Sequence, residues 1–316
     1  MIGTMFKTSR RSLLTLIAGL PIFRGVRAAV PDTFALVPGD VVGQVFRYRQ
    51  DLRHVRDGAL GHHSRAIVSL EILARDDDGW LARWTTSASE LVDADPRVRP
   101  MLQVLQAMWD GVAIDLHLAP GGQVLGLADA DAMIARAAAS LDRMIELMSA
   151  DPARAPLAGQ VRAAMQQVIG NPAYLAGTLT KEPAILLGAM SREFRVGEPL
   201  ELRSHVQSPL GDEQIAVLGR FSVRGIDDRK GQADIGWMMV VDRARLSQAV
   251  GGGVGRIADQ MAVAAPDVDL SLDFDDRADF IVDTATAWPL RVRHVRRVSS
   301  GPAAREDTLE FVRLDV

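Results

Sequence analysis

Apolar and polar residues alternate along much of the chain in the way that is typical of β-strands. Residues 66–75 alternate clearly, and an acidic turn signal at residues 76–79 follows them directly. On the next segment Trp80 and Trp84 share one face, because successive residues of a strand point to opposite sides of a sheet. The pattern therefore predicts a β-hairpin over residues 66–88.

The same alternation predicts further strands on both sides of a central region that has a helical period. They lie at residues 42–50, 112–118, 123–127, 200–206, 214–226, 232–241, 269–274, 280–286, 290–298 and 308–314. Gly and Asp stand between most neighbouring segments, which favours hairpins and hence antiparallel pairing.

The central region, residues 129–190, repeats its apolar side chains at three- and four-residue steps. This period predicts one helix that begins at Asp129 or Asp131 as the cap and ends at Asp151-Pro152, and a second that begins near Pro156. A short helix is also predicted over residues 100–109, because proline suits the first helical position.

These elements predict an α+β fold: two antiparallel β-sheet halves with a central helical segment packing on the sheet. The two halves form either separate sheets or one continuous curved sheet. Each half runs strand, strand, acidic turn, Trp-bearing strand, helix, strand, turn, strand. An internal duplication and a chance likeness between two halves built from hairpins both account for this order. The predicted parts of the chain are 1–28 (signal peptide), 29–128 (N-terminal β-rich half), 129–190 (helical connection) and 191–316 (C-terminal β-rich half).

The first 28 residues have the composition of an export signal. They contain five basic residues and no acid, and a short apolar run at residues 13–20 follows the paired Arg10 and Arg11. This run is too short to span a bilayer, so no stable membrane span is expected after cleavage. Small side chains predict that a signal peptidase cuts after Ala28, with Ala29 as the next candidate.

The segment Ser9-Arg10-Arg11-Ser12-Leu13-Leu14 resembles the twin-arginine export motif. The motif continues with a basic residue, which Thr15 does not supply. The resemblance implies that the twin-arginine translocase and a signal peptidase are partners. It also implies delivery to the periplasm.

Composition narrows the classes of function. The chain has 316 residues, 36 of them Lys or Arg and 40 Asp or Glu, and it has no Cys. The missing Cys excludes disulfides, Cys-ligated zinc, iron–sulfur clusters and a Cys nucleophile. The signal segment holds five of the basic residues, so residues 29–316 have a net charge of −9 with neutral His. That charge is atypical of a nucleic-acid binder, and no nucleic-acid partner is expected.

Candidate catalytic and metal-binding residues are few. Asp115 and His117 stand two apart on one strand face, where a carboxylate can orient an imidazole base. His62-His63 fits a metal pair or an exposed loop tip, and the loop tip is favoured. An acidic run over residues 267–283 fits either a calcium site or the solvated face of a strand, and the strand is favoured. No metal site is predicted.

The string Gly-Gly-Gly-Val-Gly-Arg-Ile-Ala at residues 251–258 contains a GxGxxA pattern. In a dinucleotide-binding fold these glycines follow a strand, but here the preceding residues have a helical pattern. A kinked helix is therefore the favoured interpretation, and no cofactor is predicted.

Apolar side chains give the strongest functional signal. Methionines crowd the helical region and tryptophans lie in the flanking β-regions, a combination that suits an adaptable apolar cavity. A core simply filled with these residues is the alternative. The candidate ligand-binding residues are Trp80, Trp84, Met144, Met148 and Trp237. The layout resembles that of periplasmic lipoprotein- and lipid-carrier folds, in which helices cover a curved antiparallel sheet.

The sequence thus predicts an exported periplasmic, non-enzymatic protein that binds an apolar ligand or a protein partner of the cell envelope. Two alternatives stay open. One is a periplasmic hydrolase that uses scattered acids and a His such as His117. The other is a structural interaction module that associates through an exposed sheet edge.

Overall fold

A computed structural model describes most of the chain beyond the signal segment. The described residues are 33–39, 41–96, 98–152, 169–190, 192–207, 214–248, 272–301 and 303–314, with single helical residues between 155 and 166. Of these residues, 53% lie in strands and 25% in helices. The predicted α+β class is therefore wrong, and the fold is mainly β.

The strands and helices have the following bounds. The strands are β1 (Thr33–Ala35), β2 (Val45–Arg56), β3 (Ala59–Arg75), β4 (Trp80–Ala94), β5 (Ala113–Leu118), β6 (Val124–Leu127), β7 (Glu193–Arg195), β8 (Leu200–Gln207), β9 (Gln214–Asp227), β10 (Gln232–Val241), β11 (Leu272–Asp283), β12 (Pro289–Ser300) and β13 (Ala303–Arg313). The helices are α1 (Arg99–Trp109), α2 (Ala130–Ala150) and α3 (Pro172–Leu186). Residues 243–248 add a short helical segment.

Eleven strands form one antiparallel sheet in the order β6-β5-β4-β3-β2-β13-β12-β11-β10-β9-β8. Strand β13 pairs with β2 and so joins the two predicted halves into one continuous sheet. Strands β1 and β7 pair separately. If β8 to β12 repeat β2 to β6 in the same order, β8 corresponds to β2 and β12 to β6. Each strand then lies six positions along the sheet from the strand that it repeats, as an internal repeat predicts.

The predicted hairpin over residues 66–88 is confirmed as β3 and β4. The side-chain carboxylate of Asp76 accepts hydrogen bonds from the backbone N–H groups of Asp78 and Gly79, both at 2.9 Å, and so closes the turn. Gly79 has a φ of 146°, and a Cβ at this position would lie 1.9 Å from the carbonyl oxygen of Leu118. Only glycine therefore fits where the turn passes the end of β5.

Strands β2 and β3 extend further than the alternation of apolar and polar residues predicts. The segment around His62 and His63 was expected to be a loop tip, but both residues lie within β3, and the turn falls earlier, at Asp57-Gly58. Polar residues on the outer face obscure the alternation here, because they pair across the strands. Asp51 on β2 accepts hydrogen bonds from His63 at 3.1 Å and from a β3 arginine at 3.0 Å.

A second difference concerns residues 269–286, where two strands were predicted. The described residues of this region form one strand, β11. Asp276 is completely buried, in phase with the inward-facing Ala278 and Phe280. A charged residue at an inward position interrupts the apolar pattern, and so the strand looked like two.

The helices do not form a single layer on the sheet, contrary to the prediction. Helix α2 packs chiefly on α1 and α3. Its buried residues Leu141, Met144 and Met148 form an apolar cluster with Leu175 of α3 that is separate from the core of the sheet. A helical period shows which face of a helix is apolar, but it does not show which element covers that face.

Local features of the helices agree with the sequence. Helix α1 confirms the helix predicted at residues 100–109. Asp129 caps α2, because its side chain accepts a hydrogen bond from the N–H of Ala132 at 2.9 Å. Within the described residues, no helix is both long enough and apolar enough to cross a membrane.

Several features singled out in the sequence lie outside the described residues. They are the export motif at Arg10 and Arg11, the cleavage candidates Ala28 and Ala29, the glycine-rich string at 251–258, and the acidic residues Asp267 and Asp269.

Candidate functional site

Helix α3 lies over the inner face of the sheet and borders two cavities. We call the one beside strands β2–β5 the N-terminal cavity and the one beside β8–β12 the C-terminal cavity. Their volumes are about 400 Å³ and 460 Å³. Residues at three- and four-residue steps along α3 line each cavity, so two faces of the same helix serve two spaces. Small-molecule sites usually fall within this range of volumes.

The N-terminal cavity lies between the sheet and all three helices. Trp84 and Ile114 form its wall on the sheet, Leu105 and Trp109 on α1, and Leu179 on α3. Polar side chains, among them those of Gln50, Thr86, Gln106 and Thr178, also reach this space. The cavity thus has an apolar body and scattered hydrogen-bonding groups.

Glu182 is the acidic residue that lines the N-terminal cavity. It lies on α3, beside the buried Gln50 of β2. Burial raises the pKa of the Glu182 carboxyl above its ordinary value, and Gln50 and Lys181 only partly oppose that rise. The site therefore shifts the protonation equilibrium of this acid towards its neutral form.

The C-terminal cavity has an apolar and aromatic wall on the sheet. Phe221 of β9, Trp237 of β10 and Phe280 of β11 lie side by side, with ring centroids 6.3 Å apart for Phe221 and Trp237 and 6.5 Å for Phe221 and Phe280. Gly219 makes room for the indole, because a Cβ there would lie 3.0 Å from Nε1 of Trp237.

Two arginines and a lysine line this same cavity: Lys181 on α3, Arg192 just beyond α3, and Arg296 on β12. The guanidinium of Arg192 lies 4.6 Å from the ring centre of Phe221, and its Nε donates to the carbonyl oxygen of Gly188 at 3.0 Å. Burial lowers the pKa values of Lys181 and Arg192, and the charge of Arg296 lowers that of Lys181 further.

Asp276 beneath this cavity is completely buried and fully engaged. One carboxylate oxygen pairs with Nε2 of His294, and the other accepts from both Nε and a terminal nitrogen of Arg296. Burial alone would raise the pKa of Asp276, but His294 and Arg296 outweigh it and hold the pKa below its ordinary value. The carboxylate is therefore ionised and compensates one of the three cations.

The structure places the five predicted ligand-binding residues in different surroundings. Trp84 lines the N-terminal cavity and Trp237 lines the C-terminal cavity. Trp80 is buried in the sheet core, where its indole N–H donates to the carbonyl oxygen of Pro120 at 3.0 Å. Met144 and Met148 lie in the cluster between helices. The described structure thus brings two of the five to cavities.

Asp115 and His117 share β5, as the sequence indicates, but the carboxylate of Asp115 is engaged elsewhere. It accepts hydrogen bonds from Nε and a terminal nitrogen of Arg83 on β4, at 2.8 and 3.0 Å. His117 is exposed, and its strand neighbours Leu116 and Leu118 are buried on the opposite face. The two candidate catalytic residues therefore lie on the outer face of the sheet, away from both cavities.

The histidine pair at 62–63 also differs from expectation. The ring of His62 stacks on that of His54 at 5.2 Å and borders the N-terminal cavity, whereas His63 points to the other face and pairs with Asp51. Within the described residues, no group of three or more His, Asp or Glu side chains is arranged to hold a metal ion.

Glu182 and the basic residues of the C-terminal cavity were not among the site residues predicted from the sequence. Lys181 and Glu182 had a usable signal, because they are adjacent charges within an otherwise apolar helical stretch. Arg192 and Arg296 had none, because arginines are frequent in this chain and only the tertiary structure shows which of them face inward.

Comparisons with known proteins give little further information. No family model matches the chain, and no curated protein matches it. Among solved structures, the chain is similar to one of lipovitellin, described as "Lipid-protein interactions in lipovitellin", with a TM-score of 0.38 and 9% sequence identity. The similarity covers 86% of this chain, which spans about a quarter (25%) of the length of that one.

Proposed function

We propose that this protein is an exported, non-enzymatic carrier that holds an apolar ligand between the inner face of its sheet and its helices. The observation that supports the proposal is the N-terminal cavity of about 400 Å³. Apolar side chains of the sheet and of all three helices converge on it, and Trp84 and Trp109 contribute large apolar surfaces. This space is open to solvent and its walls are mainly apolar, so a bound apolar ligand would remove that surface from water.

The expected affinity follows from the burial of apolar surface. Each methylene group removed from water contributes about 0.8 kcal/mol. A chain of about ten methylenes supplies about 8 kcal/mol, which corresponds to a Kd near 1 µM before the costs of ordering the ligand. The cavity is thus suited to a flexible hydrocarbon ligand.

Export is part of this proposal and rests on the sequence of residues 1–28 alone. The paired Arg10 and Arg11 and the cleavage candidates Ala28 and Ala29 support delivery to the periplasm. Intact mass measurement of the protein purified from the periplasm tests this part. We expect a chain that begins at Ala29 or the next residue, and a chain that retains residues 1–28 would contradict it.

Native mass spectrometry, followed by organic extraction of the purified protein, tests the binding part. We expect a co-purifying apolar molecule. Leu105→Trp places a larger side chain in the N-terminal cavity and should lower the occupancy by about tenfold or more, because the ligand then loses at least 1.4 kcal/mol of contacts.

Leu147→Trp is the matched control. Leu147 also lies on a helix but is 60% exposed, so its replacement leaves the cavity unchanged. Equal occupancy in the two variants would contradict binding in the N-terminal cavity. An apo mass for the wild type that titration with long-chain alcohols does not change would contradict the carrier function itself.

A further inference from the structure

The C-terminal cavity combines an apolar wall with an unusual excess of positive charge. Lys181, Arg192 and Arg296 line it, and Asp276 is the carboxylate that pairs with one of them. The side chains of Lys181, Arg192, Arg296 and Asp276 together carry a net charge of +2. The described chain is acidic as a whole, so the local charge is opposite in sign to that of its surroundings.

Two of the cations have no carboxylate close to them. None of the described carboxylates lies within 4.0 Å of the Lys181 ammonium or of the Arg192 guanidinium. Other charges act on Lys181 only over longer distances, and Asp307 and Asp276 are among them. Arg192 is partly buried, and a partly buried cation without a close anion is costly, so proteins usually pair such groups.

The position of these cations suits an anion that is attached to an apolar chain. Arg192 lies over the ring of Phe221, so its guanidinium marks one boundary of the aromatic wall. Lys181 lies on α3 and is accessible to solvent, whereas Trp237 and Phe280 lie on the sheet across the cavity. An apolar chain on the rings would bring its charged end to Lys181 and Arg192.

We propose that the C-terminal cavity binds an amphiphile with an anionic head group, and that Lys181 and Arg192 hold that head group while Phe221 and Trp237 contact its apolar chain. The inference rests on the proposed carrier function and adds to it the charge class of a ligand and a second binding region. A carboxylate and a phosphate are both compatible with these donors, because arginine binds either with two nitrogens.

Fluorescence titration of the full protein tests this inference with a matched pair of probes. One probe is cis-parinaric acid, a fluorescent long-chain fatty acid, and the other is its uncharged methyl ester. We expect the acid to bind about tenfold more tightly than the ester, because a charged hydrogen-bonded pair contributes that much or more. Equal affinities would overturn the inference and leave the carrier function intact, whereas no binding of either probe would contradict both.

Substitutions of Lys181 and Arg192 test whether these two cations cause the tighter binding of the acid probe. Lys181→Met and Arg192→Met should each reduce the preference for the acid by about threefold with little effect on the ester, and Arg192→Lys should keep more of the preference than Arg192→Met does. The exposed residues Lys230 and Arg195 provide matched controls: Lys230→Met and Arg195→Met should keep the wild-type preference. Loss of the preference in the controls as well would overturn the assignment.

Competition distinguishes an amphiphile from a small anion. Millimolar acetate and inorganic phosphate should displace the acid probe weakly, because they gain nothing from the aromatic wall. If acetate or phosphate displaced the probe at the same concentrations as a long-chain fatty acid, the proposal of an amphiphilic ligand would be wrong. The cavity would then be a site for small anions.

Discussion

The two cavities beside α3 differ more in charge than in size. Lys181 and Glu182 are neighbours in sequence, yet the first lines the C-terminal cavity and the second the N-terminal cavity. Successive residues of a helix point about 100° apart, so one helix presents different chemistry to the spaces on its two sides. The inner face of this sheet therefore borders two chemically different spaces, one lined by a partly buried acid and one with an excess of cations.

The two regions also shift the pKa values of their acidic residues in opposite directions. In the C-terminal cavity, two basic partners hold the Asp276 carboxylate in its ionised form. In the N-terminal cavity, burial favours the neutral form of Glu182. Stability should therefore depend on pH in opposite directions at the two sites.

The largest expected effect comes from breaking the paired site. Asp276→Ala removes the buried carboxylate and leaves His294 and Arg296 without their partner, so the free energy of unfolding should fall by about 3 kcal/mol at neutral pH. Because the folded-state pKa of Asp276 is lowered, the ionic contribution is present above 3.8 and is lost as the pH falls through that lowered value. Urea denaturation of the wild type and the variant at several pH values measures the loss of unfolding free energy and its dependence on pH.

The neighbouring Asp275 is the control for this variant. It is 45% exposed and lies 3.6 Å from Arg277, so Asp275→Ala should change stability by no more than about 0.5 kcal/mol. A similar loss in both variants would show that Asp276 is not specifically required.

A smaller effect of opposite sign is expected at Glu182. The folded-state pKa is raised, so the unfolded chain loses its proton first as the pH rises from 4.5, and stability then declines up to the raised pKa. Glu182→Gln removes this loss and should raise the free energy of unfolding at neutral pH by about 1 kcal/mol, with no gain well below pH 4.5.

Thermal denaturation as a function of pH checks this expectation. The matched control is Glu146→Gln, because Glu146 is an exposed acid on α2. A gain in Tm that is independent of pH, or equal in the two variants, would contradict the assignment of a raised pKa to Glu182.

The smallest expected effect concerns the shape of the C-terminal cavity. Gly219→Ala adds a methyl group 3.0 Å from Nε1 of Trp237, so the indole must shift, and stability should fall by about 1 kcal/mol. Trp237 fluorescence and the affinity of cis-parinaric acid should change together. Gly225→Ala on the same strand meets nothing within 4 Å and should change neither, and an equal response of the two variants would contradict a role for Gly219 in positioning the indole.

Sequence patterns predicted local structure well where one face of a strand is apolar and the other polar. The hairpin around Asp76 and the helix that ends at Trp109 were found in this way, and the structure identifies Asp129 as the cap from two candidates, Asp129 and Asp131. The patterns failed where pairing across strands satisfies the polar groups, as at Asp51 and His63. Such partners are distant in sequence, so alternation within one segment cannot reveal them.

The candidate site was less predictable than the fold. Trp84 and Trp237 were singled out for their apolar surface and do line the two cavities, but Met144 and Met148 share the same chemistry and lie between helices. Lys181 and Arg192 gain their importance from the apolar surfaces that other elements place beside them.

The sequence by itself determined the strands with alternating faces, the helical period of the central region, the export-like character of the first 28 residues and the absence of cysteine chemistry. The folded structure was needed to show that β13 pairs with β2, that α2 packs on helices, and that Lys181 and Glu182 lie in different cavities. Local periodicity depends on neighbours along the chain, whereas cavities and buried charges depend on residues that only folding brings together.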